Sequence, residues 1–251
     1  MFSTFNSSNI STYQKISFEN STKFSLTCFS STSYFIYYYY YLIKLNESLI
    51  YNQRNYLYMY NLYFFTSFNV RNSTEFIFYD ARGIFKYNVA LSLIDAYYLN
   101  TGHYGFYYNQ TGDYILAGSS AYTIDVLTRN DFTFIKCIST SPYLITDIQE
   151  FNDTLYFSTK NGYVLVLINE VITANFTTLC SSIISLSINA YGEIAIVCSS
   201  IIYVYSTTGT YLNVSWVSPI NNTNKISFDG HGNVIISGSS GIYIFQKKVG
   251  T

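Results

Sequence analysis

The chain repeats itself at a nearly constant period. Residues 226–245 read ISFDGHGNVIISGSSGIYIF, and forty residues earlier 186–205 read LSINAYGEIAIVCSSIIYVY. Further copies run TDIQEFNDTLYFSTKNGYVLVL (146–167), GFYYNQTGDYILAGSSAYTIDVL (105–127), SFNVRNSTEFIFYDARGIFKY (67–87) and ISFENSTKFSLTCFSSTSYFIYY (16–38). The apolar residue before each turn anchors the units at Phe18, Phe68, Tyr107, Ile148, Ile188 and Phe228, with intervals of 50, 39, 41, 40 and 40. A period of this length confines the chain to equal supersecondary units that bury their apolar surface against one another.

Within each unit a short alternating strand ends in a polar turn (DGHG, NAYG, NQTG, EFND) and an apolar strand follows (NVIIS, EIAIV, DYILA, TLYFS). A Ser/Gly-rich link leads into a third strand (IYIF, IYVY, TIDVL, YVLVL), and most units close with a fourth segment such as TYLNVSWV or FTFIKCIS. Period-two patterning with β-branched and aromatic residues between Gly/Asn/Asp/Ser turns is the signature of strands and hairpins. The 29 Tyr and 20 Phe suit strands as well. Four strands in about 40 residues is the size of a propeller blade. The predicted fold is therefore all-β: one six-bladed β-propeller domain over 1–251, with four-stranded antiparallel blades.

The last unit stops after its third strand, while residues 1–13 form an arm ahead of the first unit. The arm is expected to supply the missing outer strand and close the ring, which removes an open sheet edge. The alternative is that it leaves the domain and adds to a neighbouring molecule as a donated strand.

The units resemble NHL-type and related secreted six-bladed propeller repeats, on the match of Phe228-Asp229-Gly230-His231-Gly232-Asn233-Val234-Ile235-Ile236 and of Ile188 to Val197 to their apolar-Asp-x-x-Gly-Asn-apolar pattern. The resemblance spans nearly the whole chain and implies the fold. That family commonly places an Asp after the second strand, where Ser237, Cys198, Ser158 and Gly118 stand here. It holds both binding modules and enzymes, so it implies no single function.

Charge narrows the partners. Thirteen Lys+Arg and 14 Asp+Glu make 11% of the chain and a net charge of −1, which provides no basic field for nucleic acid. The longest apolar run, Tyr34 to Ile43, is half of what a spanning helix needs, so no membrane span is expected. The opening MFSTFNSSNISTYQ has neither the basic nor the apolar region of a signal peptide.

Ten Asn-x-Ser/Thr sequons occur, at Asn6, Asn9, Asn20, Asn46, Asn72, Asn109, Asn152, Asn175, Asn213 and Asn221. For 23 Asn and 56 Ser+Thr, about five arise by chance. Placement is the better argument. Asn20, Asn72, Asn109 and Asn152 are expected in the turns between first and second strands, on one face, with Asn46 in a link on that face. Glycosylation there would wet a chain with few charges and many aromatics; the competing reading is that Asn, Ser and Thr are simply turn residues. It implies a secreted chain, and hence a processed or partial sequence. Of the four cysteines, Cys180 and Cys198 are expected at strand ends on one face, flanking the link between two blades, and so to form a disulfide. Cys28 is expected at the second-strand position matching Cys198, and Cys137 at an outer-strand end, either as buried thiols or as intermolecular bonds.

Catalytic constellations are thin. His103 and His231 are placed in turns or links, and no zinc spacing, HExxH, GxSxG, P-loop or helix-opening GxGxxG occurs. Gly238-Ser239-Ser240-Gly241 is read as a link and Asp229 to Asn233 as a hairpin turn rather than a calcium loop. Glu19, Asp147 and Asp229 lie beside first strands but are read as lining no repeated position. No cofactor or metal and no catalytic activity are expected. Tyr37 to Tyr41, with Tyr51, Tyr56, Tyr58, Tyr60 and Tyr63, sits in a first unit ten residues longer than the rest. These tyrosines either pack between blades or form an aromatic surface for a neighbouring subunit or sugar. The expected role is an extracellular glycoprotein that binds copies of itself in a fibre or coat. The alternative is a lectin-like or protein-binding receptor using the face with Asp80, Arg82 and Lys160, and a distant third is a propeller hydrolase.

Overall fold

The computed structural model describes residues 122–217 without interruption and, outside them, residues 232 and 233 and the strands named here. Strand β1 (Ile10–Ile16) comes first. The first sheet then holds β2 (Phe24–Ser30), β3 (Ser33–Tyr38), β4 (Tyr41–Asn46) and β5 (Tyr51–Tyr56). The second holds β6 (Phe65–Asn72), β7 (Glu75–Asp80), β8 (Gly83–Asn88) and β9 (Leu93–Tyr98). The third holds β10 (His103–Tyr108), β11 (Tyr114–Ser119), β12 (Thr123–Thr128) and β13 (Phe134–Ser139). The fourth holds β14 (Ile145–Phe151), β15 (Thr154–Thr159), β16 (Tyr163–Ile168) and β17 (Val171–Thr177). The fifth holds β18 (Ser185–Ile188), β19 (Glu193–Cys198), β20 (Ile201–Ser206) and β21 (Tyr211–Val217). In the sixth, β22 (Thr223–Phe228), β23 (Val234–Gly238) and β24 (Gly241–Lys247) are joined by β1, which pairs antiparallel with β24. Among the described residues every regular element is a strand.

The first strand of each sheet touches the first strand of the next: β2 meets β6, β6 meets β10, and so on to β18 against β22, while β22 also lies against β2. The sheets therefore radiate from a common line of inner strands. Each is covered on both faces, and the packing explains the unbroken apolar runs. Along β15, Tyr156 points into the cluster shared with the fifth sheet and Phe157 into the cluster shared with the third. On β16, Val164 and Val166 face one way and Leu165 and Leu167 the other. On β19, Ile194 and Ile196 face the fourth sheet, Ala195 and Val197 the sixth. The alternation of a strand is kept, but both sets of side chains are buried.

Two findings correct the sequence reading of the first unit. Its innermost strand is β2, so the run SLTCF is the first strand and not the second, and SYFIYY the second and not the third. Phe18, the expected anchor, lies outside the described residues. The innermost strands begin at residues 24, 65, 103, 145, 185 and 223, so the long first interval disappears. The surplus residues belong to the last unit, because β1 completes the sixth sheet. Its span, Ile10–Ile16, overlaps only the end of the expected arm, and residues 1–9 lie outside the description. The tyrosine block is therefore no insertion: Tyr37 and Tyr38 end β3, Tyr41 begins β4, and Tyr51 and Tyr56 bound the outer strand β5. Tyr58, Tyr60 and Tyr63 lie outside the described residues. Cys28 sits in β2, an innermost strand, and does not match Cys198 on the second strand β19.

Tight turns follow the expected chemistry. Asn152 and Asp153 both have positive φ (48° and 57°), as do Asn169 and Glu170 (49° and 67°), which gives two-residue hairpins of the type that matches strand twist. At Gly209 (φ 85°) a Cβ would also meet the Phe176 ring, at 2.6 Å. Replacing Phe157, which is fully buried between two sheets, by Ala is expected to cost about 3–5 kcal/mol, read as a lowered urea midpoint with unchanged slope.

Candidate functional site

Four innermost strands carry a register shift near their start: between Phe65 and Ser67, His103 and Gly105, Ile145 and Asp147, and Thr223 and Lys225. A bulge at one level re-aims the residue that follows it. The residues at that level are Ser67, Gly105, Asp147 and Lys225, so the acidic Asp147 does stand at a repeated position, contrary to the sequence reading, with a basic residue at the same position two units on. Glu19 and Asp229 lie outside the described residues.

The two charges meet. Lys225 Nζ lies 2.8 Å and 2.6 Å from the two carboxylate oxygens of Asp147. The Asp147 side chain is 3% exposed and that of Lys225 15%. Asp147 Oδ1 also accepts from the Ile148 amide (3.0 Å), and Oδ2 accepts from Ser185 Oγ (2.5 Å) and the Leu186 amide (3.2 Å). Ser185 Oγ in turn accepts from the Ile226 amide (3.3 Å), and Ser187 Oγ from the Phe228 amide (3.0 Å). One buried network thus ties β14, β18 and β22. Every lone pair of the carboxylate is engaged, which leaves it no capacity as a general base or ligand in this arrangement. Its chemistry is that of a clamp between sheets. Ser237, opposite Lys225 in the ladder, has a buried hydroxyl with no partner.

Polar ties also join other sheets. Lys86 Nζ on β8 donates to the Asn130 carbonyl and sits 4.9 Å from the centre of the Phe132 ring. Tyr107 on β10 donates its hydroxyl to Glu150 on β14. His103, expected in a turn or link, opens β10 instead, and His231 lies outside the described residues. Gly238 and Gly241 end and begin strands, as a link requires.

Cys180, three residues beyond β17, and Cys198, at the end of β19, are joined as a disulfide with their Cα atoms 5.8 Å apart. The segment entering Cys180 is held by the Leu179 amide, which donates to the Tyr205 hydroxyl (2.8 Å). Burial pushes that phenol above its ordinary pKa, with this hydrogen bond acting the other way. Cys137 is exposed and free near the middle of β13 rather than at its end.

Three sequon asparagines are described with their surroundings, and all three are exposed: Asn152 in the turn between β14 and β15, Asn175 on β17 and Asn213 on β21. The last two stand on outer strands, at the rim. Asn46 ends β4 and Asn72 ends β6, beside the links in which they were expected. Asn6, Asn9, Asn20, Asn109 and Asn221 lie outside the described residues; Asn20 follows β1 and precedes β2, so it does not join a first strand to a second. On the opposite face, Lys160 is exposed between β15 and β16, Asp80 ends β7, and Arg82 lies outside the described residues. Sequence reasoning missed the exposed Tyr122 and Leu179 on that face, because single apolar residues in links carry no pattern.

No family model and no curated protein matches the chain. Solved structures do. A streptogramin B lyase structure aligns with TM-score 0.69 at 13% identity, over 94% of this chain and 97% of the lyase. The β-propeller domain of Myceliophteria thermophila Cps50 (Swd1) aligns with TM-score 0.65 at 12% identity, over 90% and 82% of the two chains. The C-terminal WD40 domain of Sif2 gives TM-score 0.59 at 14% identity, over 90% and 69%. With the radial four-stranded sheets, these likenesses define the fold as a β-propeller; identities this low carry no function across.

Removing one partner of the axial pair leaves the other charged and buried. Lys225→Met is expected to destabilise by about 3–5 kcal/mol in denaturant titrations, and the double variant Asp147→Leu/Lys225→Met to recover most of that loss.

Proposed function

We propose that the chain is a non-catalytic, N-glycosylated extracellular β-propeller that associates with copies of itself in a larger assembly. Its 251 residues act as one domain, a six-bladed ring of NHL-like repeats closed by β1 as the outer strand of the sixth sheet. The circuit of inner strands, with β22 against β2, and the pairing of β1 with β24 support the closure. The internally satisfied axial network supports a structural rather than a reactive centre. The Cys180–Cys198 bridge belongs to an oxidising compartment, which agrees with sequons that stand exposed.

The observation that carries self-association is the rim. Outer strands expose large apolar residues: Leu93, Ile94 and Tyr98 on β9, Phe134 and Ile135 on β13, and Val171 on β17. An exposed apolar sheet edge is a template for another chain. A second reading, a receptor module for sugar or protein, rests on Tyr122, Leu179 and Lys160 exposed on the link face.

Intact mass before and after enzymatic N-glycan release, run beside native sizing, tests the proposal. Several released glycans on an oligomer are the expected result, with Asn152, Asn175 and Asn213 among the occupied sites. A bare monomer of 28.8 kDa would overturn both secretion and self-association.

A further inference from the structure

Resting on the self-association just proposed, we infer where it occurs: the edge of β9 in one copy pairs antiparallel with the edge of β13 in the next. Both are terminal strands of their sheets. Consecutive residues of a strand point to opposite sides, yet Leu93 and Ile94 are 50% and 48% exposed, and Phe134 and Ile135 are both 49% exposed. Each edge is therefore uncovered on both sides and along its unpaired ladder groups.

Sugar placement selects these two edges. β17 and β21 carry the exposed sequons Asn175 and Asn213 on their own strands, where a glycan would obstruct a partner. No sequon occurs between Asn88 and Tyr98 or between Arg129 and Ser139. The second and third sheets thus present a sugar-free apolar arc.

Charge selects the occupant. β9 (LIDAYY) holds one charged residue, Asp95, and β13 (FIKCIS) holds one, Lys136. Aligned antiparallel with Asp95 opposite Lys136, the strands set Leu93 against Ile138, Ile94 against Cys137, Ala96 against Ile135 and Tyr97 against Phe134. Opposite charges and apolar or aromatic residues facing across a ladder are favourable pairs. Either strand centred on a copy of itself at its charge would instead set Asp95 against Asp95 or Lys136 against Lys136. Lys136 is held by Glu170 at 2.5 Å in its own chain, with both side chains about half exposed, so its ammonium keeps donors for a second carboxylate. Because the two edges differ, the contact is head to tail and propagates into a ring or filament.

The test uses the full chain. Directly opposed residues are within disulfide reach, so Ile94→Cys under mild oxidation is expected to give a ladder of covalent oligomers through Cys137, lost in Ile94→Cys/Cys137→Ser. Asp95→Lys is expected to raise the concentration for half-association about tenfold or more, with the melting temperature unchanged. Oligomers that persist with no ladder and with no effect of Asp95→Lys would overturn this edge while leaving self-association standing. A chain that stays monomeric at every concentration would overturn both.

Discussion

A sheet that buries both faces needs a neighbour on each side, and this requirement organises the molecule. Phe157 and Tyr156, adjacent in sequence, fill two different cores, as do Ile194 and Ala195. No sheet in such a stack is stable at an end, because one of its apolar faces would meet water. The contact of β22 with β2 supplies the first and last sheets with each other, and β1 gives the sixth sheet its fourth strand from the opposite end of the chain. Everything polar is arranged around that demand: the ties cross from sheet to sheet near the inner strands, while turns, sequons and the free thiol stay at the faces and the rim.

The axial pair shows how a repeat can place chemistry without making an active site. Asp147 and Lys225 stand 78 residues apart at the same level of two inner strands, and the Ser185 hydroxyl fills the step between them. A charge buried this far is tolerated because its partner and three further donors satisfy it. The same positions on the second and third sheets are Ser67 and Gly105, so a single charged pair serves one side of the axis.

Much of this was legible in the residues. The period, the turn sequences and the third strands TIDVL, YVLVL, IYVY and IYIF coincide with β12, β16, β20 and β24. The first unit was misread for a physical reason. ISFEN ahead of a polar stretch has the alternation of an inner strand, and nothing local reveals that residues 10–16 pair with a strand more than 220 residues away. Lys225 was missed likewise: a lysine in an alternating strand reads as solvated, and only the bulge that precedes it turns it toward Asp147. The exposed outer edges were half legible, since the outer-strand segments were seen but their uncovered sides depend on what packs beyond them.

Closure by the chain's own first strand is the central claim, and a cross-link measures it directly. Ile10 and Lys247 are opposed in the ladder of β1 and β24. In Ile10→Cys/Lys247→Cys with Cys137→Ser, mild oxidation followed by peptide mapping is expected to give a Cys–Cys bond within one chain, on a species of monomer mass under denaturing conditions. The same bond found only between chains would show β1 donated to a neighbour and would contradict a self-closed ring.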